Sequence, residues 1–93
     1  MFVGTLQFEL YLYGCSSLKE KRLIIKSLKT RLRNQFNVSV AETEYLDKWQ
    51  RTQIAVVTVS NKKSHAEEVI QKVFAMVEKE DRGEIIEHLI DIY

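Results

Sequence analysis

The chain of 93 residues has no proline, three glycines and a single cysteine. With so little proline and glycine it is neither collagenous nor a flexible linker. Its 45% hydrophobic and 29% charged residues suit a chain that buries a core rather than one that stays disordered. One cysteine excludes an internal disulfide and a cysteine-built zinc site. No apolar run reaches the roughly 18–20 residues that cross a bilayer, so no membrane partner is expected. The opening residues lack a basic cluster, and Gln7 and Glu9 interrupt Phe2 to Tyr13, so no secretory signal is read there. These absences describe one small domain over residues 1–93, expected in the cytoplasm.

The formal net charge of +1 names no partner, but the distribution of charge is uneven. Residues 16–35 hold seven Lys/Arg against Glu20 alone, a local excess of +6. Residues 78–91 hold six acids against Lys79 and Arg82, a local −4.

Phe2, Gly4, Leu6, Phe8, Leu10 and Leu12 alternate with Val3, Thr5, Gln7, Glu9, Tyr11 and Tyr13, the period of a half-buried strand. Gly14-Cys15-Ser16-Ser17 ends it. Ser17-Leu18-Lys19-Glu20 fits a capping box, in which hydroxyl and carboxylate satisfy free N–H groups of the first turn. A helix over 18–35 follows, with Leu18, Ile24, Ile25, Leu28 and Leu32 on one arc. Residues 36–46 alternate again, Asp47-Lys48-Trp49-Gln50 reads as a turn, and the apolar run in 51–60 reads as a central strand. Ser64-His65-Ala66-Glu67 fits a second capping box opening a helix to about Glu80. Gly83 then suits a left-handed C-terminal position, and residues 84–93 form a last strand with Ile86, His88, Ile90 and Ile92 inward.

The order is therefore βαββαβ, an α+β ferredoxin-like pattern. Right-handed crossovers give a four-stranded antiparallel sheet of order 4-1-3-2 with both helices on one face. The Gly14–Ser17 loop, the start of the first helix, the 47–50 tip and the 81–83 turn then gather at one end.

Lys19, Arg22, Lys26, Lys29 and Arg33 are spaced so that they share roughly 80° of arc on the first helix. Such a row suits a phosphate backbone, since each neutralised phosphate releases counterions. The alternative is a solvated face, although such faces usually mix signs through i,i+4 pairs. Lys21 falls in the middle of the apolar arc and is expected to snorkel out past the sheet edge. Lys48, Trp49 and Arg51 place an aromatic between cations, an arrangement able to stack on an unpaired base. Alternatively Trp49 folds back as a lid on the core, with Arg51 paired to Glu44 or Asp47.

On the sheet face without helices, Gln7, Glu9, Tyr11 and Tyr13 meet Glu87, Leu89, Asp91 and Tyr93. Its carboxylates oppose phosphates, so Gln7, Glu9, Tyr11, Tyr13, Leu89 and Tyr93 are assigned to a homodimer interface. Cys15 precedes a helix N-terminus, but neither His65 nor His88 is placed as its base, and neither histidine has a second ligand at metal spacing. No metal, no cofactor and no catalytic residue is expected.

Ser17-Leu18-Lys19-Glu20-Lys21-Arg22, with Ile25-Lys26-Ser27-Leu28-Lys29, Arg31-Leu32-Arg33-Asn34 and Phe36-Asn37-Val38-Ser39-Val40-Ala41-Glu42, resembles the YlxP-like family of small uncharacterised bacterial proteins. Val3-Gly4 and Trp49-Gln50-Arg51 also resemble that family. The resemblance implies a ferredoxin-like fold. It further implies a gene neighbourhood of translation initiation and ribosome maturation factors. It supplies no catalytic residues. Two functions are expected to compete. One is a non-enzymatic RNA- or ribosome-associated factor using the basic helix. The other is a homodimeric scaffold or regulatory module that binds a protein partner through the open sheet face and no nucleic acid.

Overall fold

The computed structural model describes residues 1–93. The elements run β1 (Phe2–Tyr11), α1 (Leu18–Gln35), β2 (Ser39–Glu44), β3 (Arg51–Ser60), α2 (Lys63–Glu78) and β4 (Glu84–Ile92). The strands form one antiparallel sheet in the order β2-β3-β1-β4, the ferredoxin-like arrangement expected from the alternating pattern. α2 packs across β1, β3 and β4, whereas α1 lies over β2 and touches α2.

β1 shows why the period-two pattern is informative. Leu6, Phe8 and Leu10 are buried on its helix side, with Leu12 just past its end, where they join a core with Ile54 and Val56 of β3, Leu28 and Leu32 of α1, and Ile70, Val73 and Val77 of α2. Gly4 sits where a Cβ would lie 2.8 Å from Ile70 Cγ1, so the absence of a side chain lets α2 approach the sheet.

Several local expectations are corrected. β2 is shorter than residues 36–46. Phe36 instead caps α1, its N–H bonded to the Leu32 carbonyl at 2.9 Å, and Tyr45 leaves the strand with a left-handed φ of 63°. The second capping box does not form. α2 begins at Lys63 with Lys62 as its N-cap and no side-chain cap, while Ser60 Oγ accepts the Lys62 N–H at 3.1 Å. Gly83 does not take a left-handed conformation; Gly14 is the glycine with positive φ. Gly83 answers a packing demand instead, since a Cβ there would lie 2.9 Å from Leu12 Cδ2.

β4 departs furthest from simple alternation. Its register against β1 slips between Glu9 and Leu10, so that Glu9 faces Glu87 but Leu10 faces Ile85. The extra residue of this bulge is Ile86. The slip turns Ile85 inward against the core and leaves Ile86 exposed, the reverse of the expected inward Ile86. A bulge reverses the faces of all residues beyond it because side-chain direction alternates at every step.

Candidate functional site

The outer flank of α1 carries Lys19, Arg22, Lys26, Lys29 and Arg33. None of the five makes an ion pair. The reason is local. Glu20 is the one acid in the helix, and its carboxylate accepts the Ser16 N–H at 3.2 Å and the Ser16 hydroxyl at 3.0 Å. The first capping box is thus half formed: Ser17 Oγ accepts the Glu20 N–H at 3.1 Å, while the return bond goes to Ser16. Arg22, Lys26, Lys29 and Arg33 line a groove of about 280 Å³ against β2, and Arg33 Nη2 donates to the Val40 carbonyl at 3.1 Å.

Glu42 is the carboxylate beside that groove, and it is already occupied. Lys21 does not snorkel outward. It is 1% exposed, its ammonium lies 2.9 Å from Glu42 Oε2, and it donates to the Tyr45 carbonyl. Thr52 Oγ1 donates to the same Glu42 oxygen at 2.6 Å. The helix-side half of the β2 end therefore offers a buried ammonium two partners, which explains why a lysine can sit in an apolar arc.

Beyond β2 the chain turns at 47–50. Trp49 does not cap the core; it is 52% exposed. Arg51 pairs with neither Glu44 nor Asp47. Its Nη2 and Nε donate to Glu9 Oε2 at 2.9 and 3.2 Å, which raises the guanidinium further above its ordinary value, and its Cζ lies 4.2 Å from the centre of the Tyr45 ring. Tyr45 donates its hydroxyl to Glu9 Oε1 at 3.3 Å. Tyr11, Tyr45, Lys48, Trp49, Arg51 and the bulged Ile86 border an open cleft of about 750 Å³. The Leu12 N–H bonded to the Gln50 carbonyl at 2.8 Å, and Gln50 Nε2 bonded to the Cys15 carbonyl at 3.2 Å, tie the turn to the loop before α1. Lys19 and Arg22 thus lie at the cleft's end of the molecule, and Lys29 and Arg33 lead away from it.

The open sheet face sets Leu89 opposite Gln7, with Tyr11 four residues along β1, but does not gather the whole predicted interface. Glu9 is buried beneath Arg51 and Tyr45, so its charge is matched and not presented. Tyr13 donates its hydroxyl to the Asp81 carbonyl at 3.2 Å, at the α1 end. Tyr93 pairs its backbone with Val3 at the other end, about 26 Å along the strand from Tyr11 at 3.3 Å per residue.

One cluster has no counterpart among the residues singled out from the sequence. Glu80 is buried, with Arg82 Nε at 2.7 Å from Oε1 and Arg31 of α1 on Oε2. The bonds from Arg82, then those from Arg31, overcome the cost of burial and hold its carboxyl at about 2. The Glu80-Asp81-Arg82 run hints at a turn, but the pairing with Arg31 depends on how α1 lies against α2. His65 and His88 lie apart, with His88 stacked on Phe74 at 4.5 Å. Cys15 is buried beside the loop, its Sγ 3.5 Å from the Ser17 carbonyl.

Residues 3–90 match the family described as "Protein of unknown function (DUF503)". A Bacillus subtilis (strain 168) protein named "Uncharacterized protein YlxP" is 40% identical over 76 residues, covering 82% of this chain and 83% of that one. Among solved structures, the structured domain of Drosophila melanogaster Boca superposes with a TM-score of 0.51 at 17% identity, covering 94% of this chain and 95% of that one. A de novo designed protein with a ferredoxin fold gives 0.55 at 13% identity, covering 100% and 84%. At these identities the likeness is one of fold.

Proposed function

We propose that this chain, which belongs to the DUF503 family, is an accessory factor that docks on structured RNA, ribosomal RNA included, through the outer flank of α1 and catalyses no reaction. The observation that carries the proposal is the row of five cations without a carboxylate partner. A cation in an ion pair must give up one counter-charge to gain another, whereas these five have none to give up and exchange counterions for phosphate. From Lys19 to Arg33 the helix rises about 21 Å at 1.5 Å per residue, a length over which a duplex presents several phosphates. Lys48 extends the positive surface at one end. Arg51, held by Glu9, contributes chiefly by orienting the Tyr45 ring.

The test is fluorescence anisotropy of a labelled structured ribosomal RNA fragment between about 50 and 200 mM salt. Five phosphate contacts should weaken binding by about two to three orders of magnitude across that range. The triple variant Lys26→Glu, Lys29→Glu, Arg33→Glu should lose binding while keeping its circular dichroism spectrum. Absence of binding by the parent protein at the lowest salt would rule the proposal out.

The second reading is a homodimeric scaffold that uses the open sheet face. It is favoured by Leu89, 59% exposed opposite Gln7, on a face that neither helix covers. Sedimentation should then show concentration-dependent assembly that Tyr11→Asp abolishes and RNA does not affect.

A further inference from the structure

The cleft at the 47–50 turn is built from parts that do not serve the core. Tyr45 adopts a left-handed backbone conformation that side-chain-bearing residues rarely take. Three contacts fix it there: its carbonyl accepts from buried Lys21, its hydroxyl donates to Glu9, and its ring lies under the Arg51 guanidinium. The β4 bulge turns Ile86 toward the same hollow. Trp49 stands on its rim, about half exposed. The result is an aromatic and apolar hollow whose orienting groups are set before anything enters it.

We infer that this cleft receives one unpaired nucleobase of single-stranded RNA. Flat aromatic walls favour a flat ring, because every base has a π-face that stacks on tryptophan or tyrosine. Lys48 offers an anionic carrier of that ring one contact, set against Asp47 on the lining and Glu87 near Arg51. Lys48 is an unpaired cation on the lining, Glu9 is neutralised by Arg51, and Lys19 and Arg22 lie at the same end of the molecule. Asp47 is the single carboxylate of the lining; it is free to accept from an exocyclic amino group. The inference deepens the RNA proposal and rests on it for the source of the strand: the α1 flank holds phosphates of a structured region, and a base beyond it enters the cleft.

Trp49 is the sole tryptophan, so its emission reports the cleft directly. The probe is a five-nucleotide oligoadenylate, compared with an abasic oligomer of equal length. The oligoadenylate should quench Trp49 saturably and the abasic oligomer should not. In anisotropy with labelled oligoadenylate, Trp49→Ala should weaken binding about ten-fold or more, the range of one base–aromatic stack, while leaving the affinity for duplex RNA unchanged. Equal quenching by the abasic oligomer, or equal affinity of Trp49→Ala for oligoadenylate, would overturn the inference. So would a shift of Trp49 emission with protein concentration alone, which would assign the hollow to a second copy. The two proposals fail separately. If Lys26→Glu, Lys29→Glu, Arg33→Glu leaves duplex binding intact while oligoadenylate still quenches, the α1 proposal falls and the cleft stands. If that variant loses duplex binding while Trp49→Ala changes nothing, the cleft falls and α1 stands.

Discussion

Within α1, Lys21 and Lys26 are the same residue type less than two turns apart, yet they meet opposite environments. Lys21 is sealed between helix and sheet with Glu42 and the Tyr45 carbonyl as partners, whereas Lys26 and its neighbours on the outer flank have no carboxylate partner. The difference is one of angle around the helix, and it divides the labour of the basic segment. A buried, paired cation fixes backbone geometry, here the kink at Tyr45. An exposed, unpaired one leaves geometry alone and remains available to a ligand. The positive charge of residues 16–35 is thus two devices.

The strongest way to break the comparison is Lys21→Ala, which leaves Glu42 with a half-buried, unmatched charge. A loss of about 3–5 kcal/mol in urea denaturation is expected. The double variant Lys21→Met, Glu42→Leu should recover most of that loss, because removing both charges avoids the unmatched one. Next comes Glu80, another buried charge that joins elements. Its carboxyl lies at about 2, against 4.5 when unperturbed, so its stabilisation is full above pH 4.5 and fades as the pH falls toward 2. A tenfold change in proton affinity corresponds to about 1.4 kcal/mol. Because both guanidiniums are partly solvated, a contribution of about 1–3 kcal/mol is expected. Urea midpoints measured down that pH range should fall less steeply for Glu80→Gln than for the parent. The smallest effect belongs to the outer flank: Lys26→Gln should change stability by less than about 0.5 kcal/mol, seen as an unchanged melting temperature. A large change there would mean that the flank has a structural role after all.

How much of this is legible in the sequence depends on the distance over which each feature is decided. β1, α1 and β3 are specified by their own periodicity and punctuation; the bounds of α1 and β3 follow from it, while β1 stops at Tyr11, two residues before its alternation does. The basic row is equally legible, because helical spacing alone puts Lys19 and Arg33 on one side. Lys21 defeats a local reading because its partners come from β2 and the turn beyond it, in Glu42 and Tyr45, where no helical pattern reaches. Arg51 does so for the same reason: Glu9 is its neighbour only once β1 and β3 are in register. Ile86 falls on the unexpected face because a bulge leaves no mark in an alternating apolar run. For Trp49, composition favours a lid on the core, and only the course of the turn exposes it.

The bulge in β4 has a counterpart. β2 slips its register against β3 between Glu42 and Glu44, opposite Gln53, and Gln53 is the cross-strand partner of Glu9, where β4 slips. Both outer strands are therefore irregular at one level of the sheet. A free strand edge is a template on which further chains can add and grow fibrils, and a bulge spoils that template by breaking the even spacing of its donors and acceptors. The two irregularities, one of which turns Ile86 toward the aromatic hollow, thus make both edges poor templates for runaway polymerisation at that end, the end where Trp49 and Ile86 would otherwise make sticking together most damaging.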